Sequence, residues 1–138
     1  MSRAPVRLVT NSLLAVALGA SLGAWLRWVL GAWLNPATGS LPLGTLAANL
    51  IGGFLVGIAV AAFADRTEIA PVWRLFVITG FLGGLTTFST FSAETVTLLM
   101  TRQQYGWTMA LVGAHVIGSV LMTLAGIGAV RLALEALR

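Results

Sequence analysis

The chain has 138 residues, of which 58% are hydrophobic and only 9% charged, and its mean hydropathy is +0.95. Soluble domains carry roughly a quarter charged residues, so this composition excludes an ordinary soluble protein and predicts an integral membrane protein. The eight basic residues are all arginines, scattered with no basic cluster that would predict nucleic-acid binding, and the absence of cysteine excludes disulfides and thiolate metal sites.

Four apolar runs follow one another along the chain, and each is long enough to cross about 30 Å of hydrocarbon as a helix. The first run is longer than the roughly 7–15 apolar residues of a secretory signal, so we expect the N-terminus to be retained. Turn-forming or charged stretches at residues 35–40, 65–71 and 102–104 separate the runs and leave no room for a soluble domain, so we expect no enzyme. We predict one all-α membrane domain, residues 1–138, with spans at residues 8–34, 43–64, 73–100 and 105–134.

The first two spans carry polar side chains at membrane depth, where such groups are costly. Arg27 lies about two-thirds of the way through the first span, and it either snorkels to the interface or presents positive charge to an anion vestibule. Asn49 lies in the second span, and its amide either donates hydrogen bonds to an anion or joins two helices. Spacing alone leaves both alternatives open for each residue.

The third span contains clustered glycines and hydroxyls in residues 80–92, Gly-Phe-Leu-Gly-Gly-Leu-Thr-Thr-Phe-Ser-Thr-Phe-Ser. Irregular backbone at membrane depth is tolerated where it is buried in protein or lines a water-filled path, so this segment predicts a transport site and permits a break inside the helix. Backbone carbonyls released from helical hydrogen bonds would suit a hard cation such as sodium, and released backbone amides would suit an anion. Phe88 and Phe91 can face the same side, either as packing or with their positive ring edges toward an anion.

Further polar residues follow in the third and fourth spans. Glu94 is the acidic residue deep in a span, and it is a candidate for proton coupling, for cation binding or for pairing with Arg27 or another subunit. His115, Ser119 and Thr123 recur every four residues, which places them on one helical face. That face either lines a polar track or forms hydrogen bonds between helices. A single histidine without a second His or Cys nearby is a poor metal site, so we expect no transition metal.

Small residues also recur four apart in the first three spans, a spacing that lets helix backbones approach closely in lipid. Four helices can barely enclose a polar path, so we expect a homo-oligomer with the path at or near the subunit interface. The pairs are Gly19 and Gly23, Gly53 and Gly57, and Gly80 and Gly84.

The arginines are distributed unevenly between the two sides of the membrane. With four spans, both termini and the link after the second span share one side, and counting positive charges places that side in the cytoplasm. That side carries Arg3, Arg7, Arg66, Arg74, Arg131 and Arg138, whereas the other side has Arg102 and, within the first span, Arg27.

Three motifs of glycines, polar residues and aromatic residues occur in the first three spans. They are Gly23-x-x-x-Arg27-Trp28, Gly44-Thr45-Leu46-Ala47-Ala48-Asn49-x-x-Gly52-x-Phe54-x-x-Gly57, and Gly80-Phe81-x-Gly83-Gly84-x-Thr86-Thr87-Phe88-Ser89-Thr90-Phe91. The combination of Gly-Thr-Leu-x-x-Asn with Thr-Thr-Phe-Ser-Thr-Phe is specific. With these motifs the chain resembles the Fluc, or CrcB-type, fluoride channel family over essentially its whole length.

The resemblance implies an antiparallel, dual-topology homodimer of four-helix subunits, with a third helix broken at its centre and two fluoride pores along the interface. It implies a structural sodium ion held by the backbone carbonyls of Gly83 and Thr86 from both subunits. The fluoride pore would be lined by Asn49, Phe88, Phe91, Ser119 and Thr123. A polar track or vestibule would include Arg27, Thr87, Glu94 and His115.

The resemblance further implies passive fluoride export across the plasma (inner) membrane of a microbe, with fluoride, lipid and a second copy of the chain as partners. Two other functions are compatible with the residues themselves. A small proton-coupled antiporter would use Glu94 as its exchanging carboxylate, and a membrane scaffold would transport nothing.

Overall fold

The computed structural model describes residues 4–35, 41–64, 66 and 68–137. Most of the turn predicted at residues 35–40 lies outside these residues, as do Arg3, Asp65, Thr67 and Arg138. All regular structure in the described residues is helical, and four helical segments are long and apolar enough to cross a membrane. The predicted fold class, an all-α protein with four membrane-spanning segments, is therefore confirmed at this level.

Three of the four spans are single uninterrupted helices. They are α1 (Ala4–Leu34), α2 (Leu43–Phe63) and α5 (Tyr105–Ala136). The third span, Pro71–Thr101, consists of two helical arms, which we number α3 (residues 71–85) and α4 (residues 88–101).

Between the two arms, Thr86 and Thr87 have extended backbone angles. Thr86 has φ −80° and ψ 151°, and Thr87 has φ −150° and ψ 121°. We call these residues the extended pair. Each arm also contains a π-helical stretch, Leu75–Leu82 in α3 and Thr97–Thr101 in α4, in which hydrogen bonds span five residues. Hydropathy cannot distinguish such a stretch from an α-helix.

Glycines bring the helices into contact at two seams. In the first seam, α1 packs against α3, and a Cβ atom added to Gly84 would lie 2.9 Å from the Cα atom of Ala20. In the second, α2 packs against α5, and a Cβ atom added to Gly53 would lie 2.9 Å from the carbonyl oxygen of Ser119. Real Cβ atoms do not approach other atoms this closely, so the predicted role of the glycine pairs in close packing is confirmed.

The interior of the helix bundle is small. Its buried apolar residues include Ala48, Leu82 and Leu85, whereas most large apolar side chains lie on the outer surface. Trp25 and Trp33 of α1, for example, are 73% and 81% exposed. An outer surface of this kind suits lipid or another subunit and would be unstable in water.

Candidate functional site

A cavity of about 470 Å³ lies beside the extended pair, and α2, the third span and α5 all contribute to its wall. We call it the main cavity. Nine of the eleven residues predicted for the site line it, together with apolar neighbours such as Val56 and Ile78. The nine are Asn49, Gly83, Thr86, Thr87, Phe88, Phe91, His115, Ser119 and Thr123.

Asn49 and Thr87 form a reciprocal pair at this cavity. The backbone N–H of Thr87 donates to Asn49 Oδ1 at 2.7 Å, and Asn49 Nδ2 donates to the Thr87 carbonyl at 3.0 Å. Because Thr87 is extended and caps α4, its N–H has no partner in the helical hydrogen-bond ladder, whereas its carbonyl accepts the first bond of α4. An unpaired peptide group in hydrocarbon costs several kcal/mol. The asparagine side chain supplies the acceptor that this N–H lacks and a second donor to the carbonyl.

Thr87 also begins the second arm of the third span. Its Oγ1 accepts a hydrogen bond from the backbone N–H of Thr90 at 3.2 Å and donates to Thr90 Oγ1 at 3.0 Å. This is the N-cap arrangement that threonine commonly provides at the start of a helix. The hydroxyls in the third-span motif therefore have a structural task, in addition to any contact with an ion.

Phe88, Phe91 and His115 form a row of rings along the cavity wall. The Phe88 and Phe91 centroids lie 5.6 Å apart with their planes at 65°, an edge-to-face arrangement. Phe91 in turn stacks on His115, with centroids 4.4 Å apart and planes at 30°. Phe91 is buried, whereas Phe88 is 78% exposed. The cavity is therefore open on the side of Phe88.

The three polar residues of the predicted α5 stripe, His115, Ser119 and Thr123, differ in their burial and hydrogen bonding. His115 is 4% exposed, its Nδ1 lies 3.0 Å from Asn49 Nδ2, and its Nε2 is buried without a hydrogen-bond partner among the described residues. Ser119 and Thr123 are half-buried. The Thr123 hydroxyl donates to the Ser119 carbonyl at 2.9 Å, so its hydrogen is already used within the helix.

Arg27 and Glu94, the other two predicted site residues, do not line the main cavity. Arg27 Nε donates to the Gly84 carbonyl at 3.2 Å, and this bond lies at the seam between α1 and α3. Glu94 lies at a second cavity of about 230 Å³, where Thr97 and Arg102 also contribute to the wall. Within the described residues, the two side chains therefore bind different partners and do not pair with each other.

Sequence analysis missed the partner of Glu94, which is Thr45 on α2. Thr45 Oγ1 donates to Glu94 Oε1 at 2.6 Å, and Glu94 Oε2 is buried without a hydrogen-bond partner in the described part of the chain. The signal was present, because Thr45 precedes Asn49 by four residues and so lies on the same face of α2. That face carries two polar contacts to α4 and the extended pair.

The extended pair changes the hydrogen bonding of the carbonyls before and after it. In a continuous α-helix, the N–H of Thr87 would donate to the Gly83 carbonyl, and the N–H of Thr90 would donate to the Thr86 carbonyl. Here the first N–H is directed to Asn49 Oδ1 and the second to Thr87 Oγ1. Both carbonyls thereby lose the donors that an α-helix would give them.

Comparison with known proteins places the chain in a family. The family model described as "CrcB-like protein, Camphor Resistance (CrcB)" matches residues 14–127. Proteins named "Fluoride-specific ion channel FluC" are similar over most of both chains. The one from Nitrosospira multiformis is 58% identical over 87% of this chain and 93% of its own, and the one from Pseudomonas aeruginosa is 59% identical over 85% and 91%. The one from Albidiferax ferrireducens is 61% identical over 84% and 88%. The resemblance inferred from the motifs is confirmed, and this multi-pass membrane protein belongs to the CrcB-like family of FluC channels.

Proposed function

We propose that this protein is a fluoride-selective channel through which fluoride leaves a bacterial cytoplasm passively. One observation carries the proposal: the main cavity brings edge-related phenylalanines together with amide, hydroxyl and imidazole groups, in a chain 58% identical to a protein named as a fluoride-specific channel. Fluoride is small and strongly hydrated. A selective path must therefore offset part of its hydration and still release it, which weakly polarised ring edges beside a few hydrogen-bond donors can do.

Passive flow would suffice to clear fluoride from the cell. Hydrogen fluoride enters from acidic surroundings by diffusion and ionises at the higher internal pH, which traps the anion. A negative-inside membrane potential then drives each fluoride outward by about 2.3 kcal/mol per 100 mV. The sequence agrees with a process that needs no ATP, since it contains no glycine-rich phosphate loop followed by Lys-Ser or Lys-Thr.

The proposal includes an antiparallel homodimer with two pores. Phe88, Ser89 and Gly83 are exposed in a single subunit, beside the extended pair and its polar backbone. Polar, irregular backbone is not stable against lipid, so this face needs a protein cover. A second copy in the opposite orientation would close each cavity. The extended pair would then be the functional break of the third helix, buried at the centre of the dimer.

The proposal also includes a sodium ion at the dimer centre, held by the carbonyls of Gly83 and Thr86 from both subunits. Carbonyl oxygens are the hard ligands that sodium prefers. Two features of the chain fit this assignment. Both carbonyls have lost their helical donors to Asn49 and Thr87, and Gly83 is exposed on the face that the second subunit would cover. When bound, the ion would supply positive charge that holds the two extended pairs together.

Fluoride efflux from liposomes containing only this protein tests the proposal. We expect rapid efflux that follows the fluoride gradient and the membrane potential and does not require a proton gradient. Flux that depends on a proton gradient and is abolished by Glu94→Gln would instead favour the antiporter. No flux from protein of normal size and fold would favour the scaffold. Protein-free liposomes prepared in the same way serve as the control.

A further inference from the structure

We propose that the Nε2–H group of His115 is a hydrogen-bond donor to the anion in the main cavity, and that Asn49 is the positioning residue that holds this donor in place. The inference rests on the proposed function, because it assumes that the cavity receives fluoride. The sequence pattern placed His115 in a polar stripe with Ser119 and Thr123, whereas here a specific role is assigned to its Nε2 atom.

The orientation of the Asn49 amide follows from the peptide groups of Thr87. An N–H must face the amide oxygen and a carbonyl must face the amide nitrogen, and Thr87 offers both, at 2.7 Å and 3.0 Å. The reverse orientation would place the amide nitrogen against the Thr87 N–H, donor against donor, and the amide oxygen against the Thr87 carbonyl, acceptor against acceptor. The hydrogen-bond network therefore fixes Nδ2, which carries two hydrogens, on the side toward Thr87 and His115.

The tautomer of His115 follows from the orientation of Asn49. One hydrogen of Asn49 Nδ2 is directed to the Thr87 carbonyl, and the other faces His115 Nδ1 at 3.0 Å. Since Nδ2 is a donor only, Nδ1 must accept, and a neutral imidazole that accepts at Nδ1 carries its hydrogen at Nε2. Both hydrogens of Asn49 are now used inside the protein, so of these two side chains only His115 has a donor left for an anion.

That donor is both held in place and unpaired. The stack on Phe91 fixes the plane of the imidazole ring, while the bond to Asn49 fixes its rotation. Nε2 is buried without a partner among the described residues, and leaving a buried donor unpaired costs about 1–3 kcal/mol. Buried side-chain donors nearly always have partners, so this one calls for an acceptor from outside the chain. An anion accepts more strongly than a neutral group, and His115 lines the cavity that we assign to the anion.

Nitrogen NMR on the native protein tests the inference directly, because the chain contains a single histidine. Protein labelled with ¹⁵N-histidine and purified through a histidine-free tag gives one pair of imidazole nitrogen signals. We expect a neutral ring with the hydrogen on Nε2, and a shift of that signal when sodium fluoride is added. Sodium chloride at the same ionic strength should leave it unchanged. A hydrogen on Nδ1, or equal responses to the two salts, would overturn the inference.

Three substitutions test the same atom by flux. In His115→Gln the amide nitrogen lies near the position of Nε2, whereas in His115→Asn the side chain reaches only to the position of Nδ1, and His115→Phe keeps the ring without any donor. We expect His115→Gln to conduct within about threefold of the parent, and the other two to lose at least about tenfold, a loss in the range expected for one unpaired buried group.

Thr108→Val is the matched control, because Thr108 is also 4% exposed, lies on the same helix and does not line the cavity. It should conduct like the parent. Equal flux from His115→Phe and the parent would refute the donor role while leaving the channel proposal intact. A parent that conducts no fluoride would overturn the proposed function and the donor role together.

Discussion

Asn49 holds the Thr87 backbone by two hydrogen bonds, one to its N–H and one to its carbonyl, and so does for the third span what a neighbouring turn does in a continuous helix. A side-chain amide is well suited to this task because it has the same donor and acceptor as a peptide group. The second span thereby determines where the third span can be irregular.

Replacing Asn49 should therefore affect stability as well as flux. We expect Asn49→Leu to lower the free energy of unfolding by roughly 1–3 kcal/mol, because the Thr87 N–H would be left unsatisfied and one such buried group costs about that much. The measurement is the fraction of protein that keeps its native elution volume after heating in detergent. Asn11→Ala, at an exposed asparagine of α1, is the control and should leave the heating profile unchanged. A parental profile for Asn49→Leu would show that the reciprocal pair is dispensable.

The two cavity phenylalanines should be required for flux, but only one of them for stability. Phe88→Ile and Phe91→Ile preserve much of the side-chain volume and remove the ring edges. We expect fluoride flux to fall at least about tenfold in each, equivalent to roughly 1.4 kcal/mol in the rate-limiting barrier. Phe91→Ile should also lower thermal stability, because Phe91 is 7% exposed and stacked on His115, whereas Phe88 is 78% exposed.

Phe76→Ile is the matched control for the phenylalanine test. Phe76 also packs edge-to-face, against Trp73 with centroids 6.0 Å apart, but it does not line the main cavity. Its replacement should leave flux near the parental value. Parental flux from both cavity variants would return Phe88 and Phe91 to a packing role.

The seam between α1 and α3 should not tolerate an added methyl group. In Gly84→Ala, the new Cβ atom would lie 2.9 Å from the Cα atom and 3.0 Å from the carbonyl carbon of Ala20. Backbone cannot move aside as a side-chain tip can, so we expect destabilisation of about 1–3 kcal/mol or more. Gly106→Ala provides the comparison, because a Cβ atom there meets nothing within 4 Å. Similar yields and thermal stabilities for the two variants would refute the close approach.

Sodium should be needed for the dimer or for its activity. We expect exchange of sodium for a large organic cation during purification to weaken fluoride flux, to shift the protein toward monomers, or both, because a large cation cannot enter a ring of converging carbonyls. Size-exclusion chromatography and flux assays on the same preparation provide the measurement. Restoring sodium should reverse the change. If flux and dimer content are the same in either cation, the central ion is not present.

Dual topology should produce two orientations in the membrane despite the uneven arginines. If antiparallel pairing requires equal insertion both ways, a terminal tag should be accessible from the outside on about half of the copies in intact cells. The link after the second span, which carries Arg66, should be accessible in the same half. Labelling of all copies from one side would favour a parallel assembly. It would also show that the uneven arginines determine a single orientation in the membrane.

Much of this structure follows from local features of the sequence. Hydropathy and length indicate the four spans, the four-residue spacing of glycines indicates the seams, and the third-span hydroxyls mark the site. Other features depend on contacts between distant residues. Spacing places Thr45 on the same face of α2 as Asn49, but it does not identify Glu94 as the partner of Thr45, because the two residues are 49 positions apart. The bond between Arg27 and the Gly84 carbonyl joins residues 57 positions apart and likewise cannot be predicted from spacing. The state of the His115 ring depends on three such contacts at once.

The two seams join helices that are not neighbours in the sequence, since α1 packs mainly against α3 and α2 mainly against α5. During synthesis, α2 therefore enters the membrane long before its main neighbour exists. The face of α2 that carries Gly53 and Gly57 can be covered within the same chain only after the 32 residues of α5 have been made. The ribosome must therefore complete α5 before the bundle can close, and a stall or truncation within α5 would leave an open seam for membrane proteases to recognise.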